Sequence, residues 1–453
     1  MGSAASPEQT CAIPGHPTEP VFDGDYSFNT GIIKSLVAAD YLVLVAALCG
    51  PFLIGLYQAW ENRKSVTIEQ FLLAYRSMTP VPVGCSICAC FTSAITMLGM
   101  AAETYDQSTM FIWVVVGLVM AAAASAHIYH PVFYRLGLIT SFEYLELRFS
   151  KSVRTVAATM FMLQMLVYIS IVLYAPTAAL QKVTGFPLWG ALISTSVVCI
   201  IVTAFAGMRG IVWADVYYVV LMFLSLLVVL FRAVQVVGGW EQLWASNVRS
   251  HRVLFDEYRL HFKVRHSVWS VVLGGFFTFS SSLAGNQPIV QKIVSCYSLR
   301  DGQIAVYVSI TLSISLSLLS CLLGLYMGAF YENCDPMQVD LVENSNQLLP
   351  LFATDILSAS YGMVGLFIAG LFSGSLSTIS SALSAASVSI IKDFIQDRPD
   401  CQISEGKARC MAQPIGEWAV RMLRYGFISG MLLKNVLIPF RQVNDLQEWC
   451  VTV

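Results

Sequence analysis

The sequence predicts an all-α protein that crosses a lipid bilayer many times. Of its 453 residues, 56% are hydrophobic and only 12% are charged, whereas a soluble domain carries roughly 25% charged residues. Stretches of about 20 apolar residues, the length that a helix needs to cross the hydrocarbon core, recur along the chain. No stretch alternates with the period of two that a strand shows, and lipid excludes open sheet edges. The net charge of −2 argues against a nucleic-acid partner.

The apolar stretches predict about nine spans, which together form a transmembrane domain over residues 38–394. Their approximate ranges are 38–59, 81–103, 111–136, 154–180, 187–207, 211–238, 267–291, 303–331 and 361–391. We expect residues 1–37 to form an extracellular tail and residues 395–453 to form an atypical cytoplasmic segment.

Lys and Arg concentrate in the connections that follow the first, third, fifth, seventh and ninth predicted spans. Short connections rich in Lys and Arg face the cytoplasm, so the pattern predicts an extracellular N-terminus in the plasma membrane. The connection at 239–266 also carries several Arg residues and is an exception to the rule.

Two of the predicted spans are interrupted by Gly and Pro. The second contains Pro80 and Pro82, and the seventh contains a serine run around Ser281, followed by Asn286, Gln287 and a proline. Such interruptions free backbone groups that must be buried in protein or line a cavity. Ordinary kinks and packing notches are one explanation. Two breaks five spans apart are typical of transporters with inverted repeats, which hold ion and substrate there, so these polar side chains are candidate substrate contacts.

The ninth predicted span carries a stripe of serines at helical spacing. Its members recur at steps of four and three: Ser373, Ser377, Ser380, Ser384 and Ser387. Intramembrane hydroxyls can join helices or donate to their own helix carbonyls. A sodium ion prefers hard oxygen ligands such as hydroxyls and freed carbonyls. A dense stripe that faces a broken helix favours a sodium site.

Charged residues are rare inside the predicted spans. Asp215 lies just inside the sixth, where a carboxylate is either a functional group or a solvated group at the helix end. We expect no Lys or Arg in mid-membrane. An anionic substrate is therefore expected to bind backbone N–H groups at the N-terminus of a broken helix.

Long stretches of the chain, spread from about residue 38 to 394, resemble the sodium:solute symporter family, on the branch with the iodide, multivitamin and monocarboxylate carriers. These stretches are SFEYLELRFSKSVR at 141–154, YISIVLYAPTAALQKVTGF at 168–186, GMRGIVWADVYYVV at 207–220, GNQPIVQKIVSC at 285–296 and SGSLSTISSALSA at 373–385. The resemblance implies a LeuT-type inverted-repeat fold with an extra leading helix, and alternating access by a rocking bundle. It also implies that Ser377 and Thr378 bind sodium, together with backbone carbonyls near Ser93 and Thr96.

Further residues take their roles only from this resemblance. Tyr168 matches an aromatic residue that lines the cavity of iodide-type members, and Asp215 matches an acid tied to sodium dependence. Thr96 stands where iodide carriers have a glutamine, which favours the monocarboxylate and vitamin carriers. The chain departs from the family pattern at Leu283-Ala284 and at Lys292, where an Arg is usual.

The resemblance also implies four more spans after the ninth. ISEGKAR at 403–409 still resembles the family, but residues 423–440 contain at best one short apolar run interrupted by charges. We therefore expect the second repeat to be incomplete, as in a splice variant or a gene-model error.

The resulting hypothesis is sodium-coupled symport of a small organic anion, either a monocarboxylate or a vitamin-like carboxylate. Sodium is the expected coupling ion, lipid the expected surroundings, and no further cofactor is expected. The alternatives are a non-transporting truncated isoform that modulates a full-length carrier, and an iodide-type anion symporter. No nucleophile–base pair stands out, so an enzyme is not expected.

Overall fold

A computed structural model describes residues 36–61, 74–185, 188–259, 265–332, 335–337, 341–342, 344–358 and 360–395. All but the last two residues of the predicted N-terminal tail lie outside these ranges. So do all but the first residue of the predicted C-terminal segment, including the short apolar run at 423–440.

The described residues are almost entirely helical. The α-helices are α1 (Ala38–Glu61), α2 (Pro80–Phe91), α3 (Ala94–Asp106), α4 (Val114–Ala124), α5 (His130–Leu136), α6 (Ser141–Arg148), α7 (Lys151–Thr184), α8 (Leu188–Val237), α9 (Trp240–Arg249), α10 (Val268–Gly285), α11 (Gln287–Val294), α12 (Leu299–Phe330), α13 (Leu348–Leu357) and α14 (Met363–Ser389). Short 3-10 turns and two π-helical segments, Ser125–Tyr129 and Ile390–Ile395, join them.

Among the described residues, seven helices are long and apolar enough to cross a membrane, or eight if α2 and α3 together form one span. The difference from the nine expected spans lies at 187–207, which is the first part of α8. That helix has 50 residues and would be about 75 Å long if straight, more than twice the hydrocarbon thickness. Gly207, at φ 60° and ψ −172°, interrupts it. Its second part, Gly207–Val237, is one of the seven.

Both interrupted spans are broken helices, as the sequence predicts. Thr92 and Ser93 have extended backbone between α2 and α3, which bend by 62°. The Ser93 hydroxyl accepts from the Thr96 N–H and caps α3. Asn286 alone is extended between α10 and α11 (φ −67°, ψ 118°), and a proline lies in the first turn of α11.

Helix α14 lies at the centre of the bundle and is buried along nearly its whole length. Two glycines let neighbouring helices approach it closely, as small residues do in membrane proteins. A Cβ atom on Gly370 would lie 2.0 Å from the Ser225 hydroxyl oxygen, and one on Gly374 would lie 2.8 Å from the Ala94 nitrogen. The serine stripe of α14 therefore points into protein, beside the break between α2 and α3.

The Arg-rich connection at 239–266 is compensated by carboxylates at the same end of the bundle. Arg249 donates to Glu332 at 3.1 Å, and Arg265 donates to Glu103 at 3.0 Å. The Arg249 guanidinium holds the pKa of the Glu332 carboxyl below its usual value. Because the charge rule counts Lys and Arg and gives little weight to Asp and Glu, this connection stays an exception to it.

Candidate functional site

The break between α2 and α3 faces two neighbouring hydroxyls of α14. Ser377 and Thr378 are 0% and 2% exposed. The Thr378 hydroxyl donates to the Gly374 carbonyl of its own helix at 2.9 Å and lies 3.4 Å from the Cys90 carbonyl oxygen. Cys90 is in the last turn of α2, where helix carbonyls have no N–H partner within the helix. The structure thus brings a hydroxyl and a helix-end carbonyl together.

These oxygens suit a small hard cation such as sodium. Hydroxyl and carbonyl oxygens are neutral, so they can bind such an ion without adding a charged side chain to the protein interior. Two oxygens 3.4 Å apart can both contact a cation at the distances of about 2.3–2.6 Å that hard ions of this size adopt. The donor set of Thr378 and Cys90 therefore fits sodium as a transported ion.

Ser93 and Thr96 lie on the other side of the same break, at the start of α3. Their hydroxyl oxygens are 3.4 Å apart, and the Ser93 hydroxyl also accepts from the Thr96 N–H. The carbonyl next to Thr378, however, belongs to Cys90, a residue that the sequence did not single out. Thr92 and Ser93 end the helix, so the freed carbonyls are those just before them.

The serine stripe divides into two kinds of side chain. In three of its members the hydroxyl donates to a carbonyl of α14 itself, which is the alternative to ion binding given above: Ser373, Ser380 and Ser387. The other two reach other helices. Ser377 donates to Asp215 Oδ1 at 2.6 Å, and Ser384 lies 3.5 Å from Gln291 Nε2. Only part of the stripe is therefore available for a ligand.

Asp215 lies in the interior and not at a solvated helix end. Its side chain is fully buried. The Ser377 hydroxyl donates to one carboxylate oxygen and the Ser86 hydroxyl donates to the other, at 2.6 and 2.5 Å. Asp215 thereby links α8 to α2 and to the sodium-ligand candidate Ser377.

The expected position of Lys292 in a connection was wrong, because its side chain is 1% exposed and lies inside the protein. Its Nζ atom lies 3.1 Å from Asp215 Oδ2 and donates to the Ser86 carbonyl and the Ser381 hydroxyl, both at 2.8 Å. The seventh span was predicted to end at residue 291, so Lys292 was assigned to a connection. Instead the break at Asn286 starts a second helix, α11, whose eight residues are all buried.

A signal for this position was present in the sequence. Lys292 lies one helical turn after Pro288, a residue that commonly starts a helix. Apolar pairs flank it on both sides, Ile289-Val290 and Ile293-Val294. A basic residue within such an apolar run is a candidate for burial against a carboxylate.

Two of the four candidate substrate contacts are held by other groups. Gln287 is fully buried, and its amide accepts from the Ser141 N–H at 2.7 Å and donates to the Ile139 carbonyl at 3.1 Å. Ser281 is exposed and donates to the Thr278 carbonyl at 2.8 Å. Neither side chain is directed at Ser377 or Thr378.

The other two candidates are half-buried. Asn286 forms the break itself, and Tyr168 packs beside the hydrophobic core around α14. Their roles as substrate contacts stay predictions.

The model of the sodium:solute symporter family matches residues 71–407. The chain belongs to the sodium:solute symporter family. The predicted resemblance is therefore confirmed. The relatives in this family are named as sodium-coupled transporters and not as enzymes.

Several curated members are similar to the chain over most of its length. The sodium-coupled monocarboxylate transporter 1 of Xenopus laevis is 38% identical over 368 residues, 81% of this chain and 59% of the frog protein. The same transporter of Homo sapiens is 34% identical and covers 91% and 68% of the two chains. The human sodium/iodide cotransporter is 34% identical and covers 82% and 58%. The chain thus spans about three fifths to two thirds of these relatives.

Solved structures confirm the LeuT-type fold. A Na⁺-coupled sialic acid symporter in a substrate-bound outward-open state has a TM-score of 0.78 and 22% identity, covering 88% of this chain and 82% of its own. Mhp1, a nucleobase-cation-symport-1 family transporter in a closed conformation, has a TM-score of 0.52 and 14% identity, covering 82% and 78%. The two broken helices that the sequence predicts are thus part of a LeuT-type fold.

Proposed function

We propose that the chain carries out sodium-coupled symport of a small organic anion, a monocarboxylate or a vitamin-like carboxylate, across the plasma membrane. Relatives named as sodium-coupled monocarboxylate transporters, at 32–38% identity, favour this substrate class. The observation that carries the sodium part is the Thr378 hydroxyl beside the Cys90 carbonyl at the break.

Sodium would bind between α14 and the break. Ser377 and Thr378 supply hydroxyls, and the end of α2 supplies carbonyl oxygen, with Ser93 and Thr96 on the opposite side of the break. An ion held by both elements stabilises the state in which they are close. Coupling then requires that sodium and substrate each bind one state of the carrier more tightly than the other.

The substrate carboxylate would bind at the N-terminus of α3. This helix has 13 residues and begins immediately after the break, so its first N–H groups and its dipole favour an anion. Lys292 is unsuited to bind the anion, because its ammonium is already paired with Asp215. Asn286 and Tyr168 would contact the rest of the solute.

The orientation in the membrane forms part of the proposal. The Lys and Arg residues after the odd-numbered predicted spans support an extracellular N-terminus.

The test is uptake into cells that express the full chain. Labelled lactate, nicotinate, biotin, pantothenate and iodide are offered separately, in sodium and in choline medium. We expect sodium-dependent, saturable uptake of one of the carboxylates. Ser377→Ala with Thr378→Ala should abolish that uptake and preserve surface expression. Undiminished sodium-driven uptake by the double variant would refute the sodium site.

The matched control is Ser373→Ala with Ser387→Ala, because both hydroxyls donate to carbonyls of α14 itself. This pair should retain uptake. Co-expression with a full-length monocarboxylate relative separates the remaining alternative. Uptake by the isolated chain would exclude a purely modulatory role. If iodide is the one compound taken up, the chain is an iodide-type symporter and the proposed organic-anion substrate is wrong.

A further inference from the structure

Helix α9 carries an exposed apolar stripe that the proposed transport function does not use. Trp240, Trp244 and Val248, here called the tryptophan stripe, recur at steps of four residues and so share one side of the helix. They are 61%, 37% and 48% exposed. The two indole rings stack, with their centroids 5.6 Å apart and 25° between their planes. The stripe is therefore an ordered surface with no partner among the described residues that would bury it.

A second side of α9 is fixed to the rest of the protein. Its buried residues are Leu243, Ser246 and Asn247. The Asn247 side-chain amide donates to the Leu325 carbonyl of α12 at 3.0 Å, and the Ser246 hydroxyl donates to Glu332 at 2.8 Å. These bonds hold α9 against the end of α12 and so set the direction in which the tryptophan stripe points.

The third side of α9 is polar. Gln242 and Arg249 are exposed and lie roughly half a turn away from Trp244, since a helix turns by about 100° per residue. The helix thus presents one side to protein, one apolar side with two indoles, and one polar side. An amphipathic helix with this arrangement is typical of the boundary between a bilayer and water.

The tryptophan stripe continues the lipid-facing side of α8. The second part of α8, Gly207–Val237, is long and apolar enough to cross a membrane. Its exposed apolar side chains recur at steps of four and three and form one side of the helix: Val220, Leu224, Leu227, Phe231 and Val234. Gly238, at φ 107°, and Gly239 are the two residues between this span and Trp240. Because α9 begins where the span ends, the stripe lies at the depth of the headgroups.

We propose that the tryptophan stripe binds the headgroup region of the bilayer leaflet at this end of α8, with a neutral phospholipid such as phosphatidylcholine as its partner. An indole combines a large apolar ring with one N–H donor, which suits the boundary between acyl chains and headgroups. The stripe carries no charged side chain, and the neighbouring Arg249 is paired with Glu332. Its chemistry therefore matches a neutral lipid surface and gives no preference for anionic lipid.

The lipid contact reaches the first broken helix through one arginine. The Arg252 N–H donates to the Asn247 carbonyl of α9 at 2.9 Å, and its guanidinium donates to the Tyr105 carbonyl at 2.9 Å. Tyr105 is in the last turn of α3, at the end opposite the break. Helix α9 therefore connects the lipid surface to the half-helix that begins at the proposed sodium site.

Photo-cross-linking of the full chain in nanodiscs of tritiated phosphatidylcholine tests the lipid contact. The photoreactive residue p-benzoylphenylalanine replaces Trp244, Gln242 or Leu224 in three separate proteins. Leu224, on the lipid-facing side of α8, is the positive control, and Gln242, on the polar side of α9, is the matched control. We expect lipid label at position 244 close to that at 224 and several-fold above that at 242.

Fluorescence quenching provides a second readout that needs only conservative substitutions. The full chain is reconstituted in phosphatidylcholine brominated either near the headgroup end or near the methyl end of the acyl chains. Trp240→Phe with Trp244→Phe should lose much of the quenching by the first lipid and little of the quenching by the second. Trp113→Phe is the control, because the Trp113 indole donates to the Phe255 carbonyl at 3.0 Å. It should lose less of the headgroup-end quenching than the double variant.

Equal lipid label at positions 244 and 242 would overturn the proposal, and so would a double variant whose quenching by the headgroup-end lipid equals that of the natural sequence. A cross-link from position 244 to a second copy of the chain, or to another part of the same chain, in place of lipid would show that protein covers the stripe. That result would also overturn the proposal. All three outcomes concern lipid contact, so they are independent of sodium-driven uptake, which tests the proposed function.

Discussion

The two broken helices differ in what their breaks offer to a ligand. Between α2 and α3 two residues are extended and the helices bend by 62°. The hydroxyl of Thr378 lies against the Cys90 carbonyl there. Between α10 and α11 only Asn286 is extended. The polar side chains that follow it, Gln287 and Lys292, are buried and bonded to other parts of the protein.

Similar sequence features therefore serve two purposes. The first break places a backbone carbonyl beside a buried hydroxyl, where we propose that sodium binds, whereas the second directs polar side chains into the packing between helices. The second break also supplies the partner of Asp215, which bonds to Ser377 of the first site. The second break is thus connected, through Lys292 and Asp215, to the proposed sodium ligand Ser377. The following variants test this division, from the largest expected effect to the smallest.

Asp215→Ala should cause the largest loss of stability. It leaves the Lys292 ammonium buried without a counter-charge, and removal of one partner of a buried ion pair costs about 3–5 kcal/mol. The melting temperature of the purified protein in a fixed detergent measures the loss. Asp215→Asn combined with Lys292→Met, which removes both charges, should recover most of it. A single variant as stable as the natural sequence would contradict the buried pair.

Gln287→Ala should come next, with a loss of at least about 2 kcal/mol. It strips the Ser141 N–H and the Ile139 carbonyl of their partner, and each buried polar group left unpaired costs about 1–3 kcal/mol. Asn286→Ala is the control at the neighbouring, half-buried position and should lose less. If Gln287→Ala instead raises KM for the solute without a change in melting temperature, the side chain contacts substrate and the division between the breaks fails.

Gly374→Ala should perturb the first break. Its Cβ atom would lie 2.8 Å from the Ala94 nitrogen and 3.2 Å from the Ser93 carbonyl carbon, and overpacking of this kind costs about 1–3 kcal/mol. We expect weaker sodium binding together with a lower melting temperature. Gly285→Ala, beside the second break, meets no atom within 4 Å and should be tolerated. If the two variants had the same melting temperature and the same sodium binding, the proposed difference between the two breaks would be wrong.

Arg249→Ala should have the smallest effect. The Arg249 side chain is 66% exposed, and exposed ion pairs contribute little. Arg249 holds the pKa of the Glu332 carboxyl below its usual value. The stability that this ion pair contributes is therefore fully present above the pKa of about 4.3 that a glutamate has in the unfolded chain, and it is lost as pH falls through the lower pKa of Glu332 in the folded protein. The melting temperature should be nearly unchanged at pH 7, and the difference between variant and natural sequence should shrink further at acid pH. A large loss at pH 7 would contradict this.

Much of the fold follows from local features of the sequence. The lengths of the apolar stretches predict the spans. Gly and Pro at 285–288 mark the second break, whereas the first break lies at Thr92 and Ser93, eight residues after Gly84. The sequence predicts two separate spans at 187–207 and 211–238. In the structure they are the two parts of α8, which is interrupted at Gly207. Residues 1–35 and 396–453 lie outside the described part, so the predicted tail and the predicted incomplete repeat stay predictions.

The candidate site was predictable only in part. Ser377 and Thr378 follow from the serine stripe and the resemblance, and their place beside a break follows from repeat spacing. The Cys90 carbonyl did not follow, because a backbone oxygen carries no residue-type signal. Gln287 was predicted as a substrate contact, but its amide is bonded to the backbone of Ser141 and Ile139. The sequence pattern of an amide next to a break is the same in both cases.

The sequence by itself determined that this protein is a multi-pass helical membrane protein with two interrupted helices and a hydroxyl-rich helix. Those properties depend on hydrophobicity and helix periodicity, which are local. Only the tertiary structure decided that Lys292 lies inside and pairs with Asp215. They are 77 residues apart in sequence and 3.1 Å apart in space, and one break of a single residue moves the lysine from an expected connection into the core. Which charges meet depends on how helices pack, and that is not a local property.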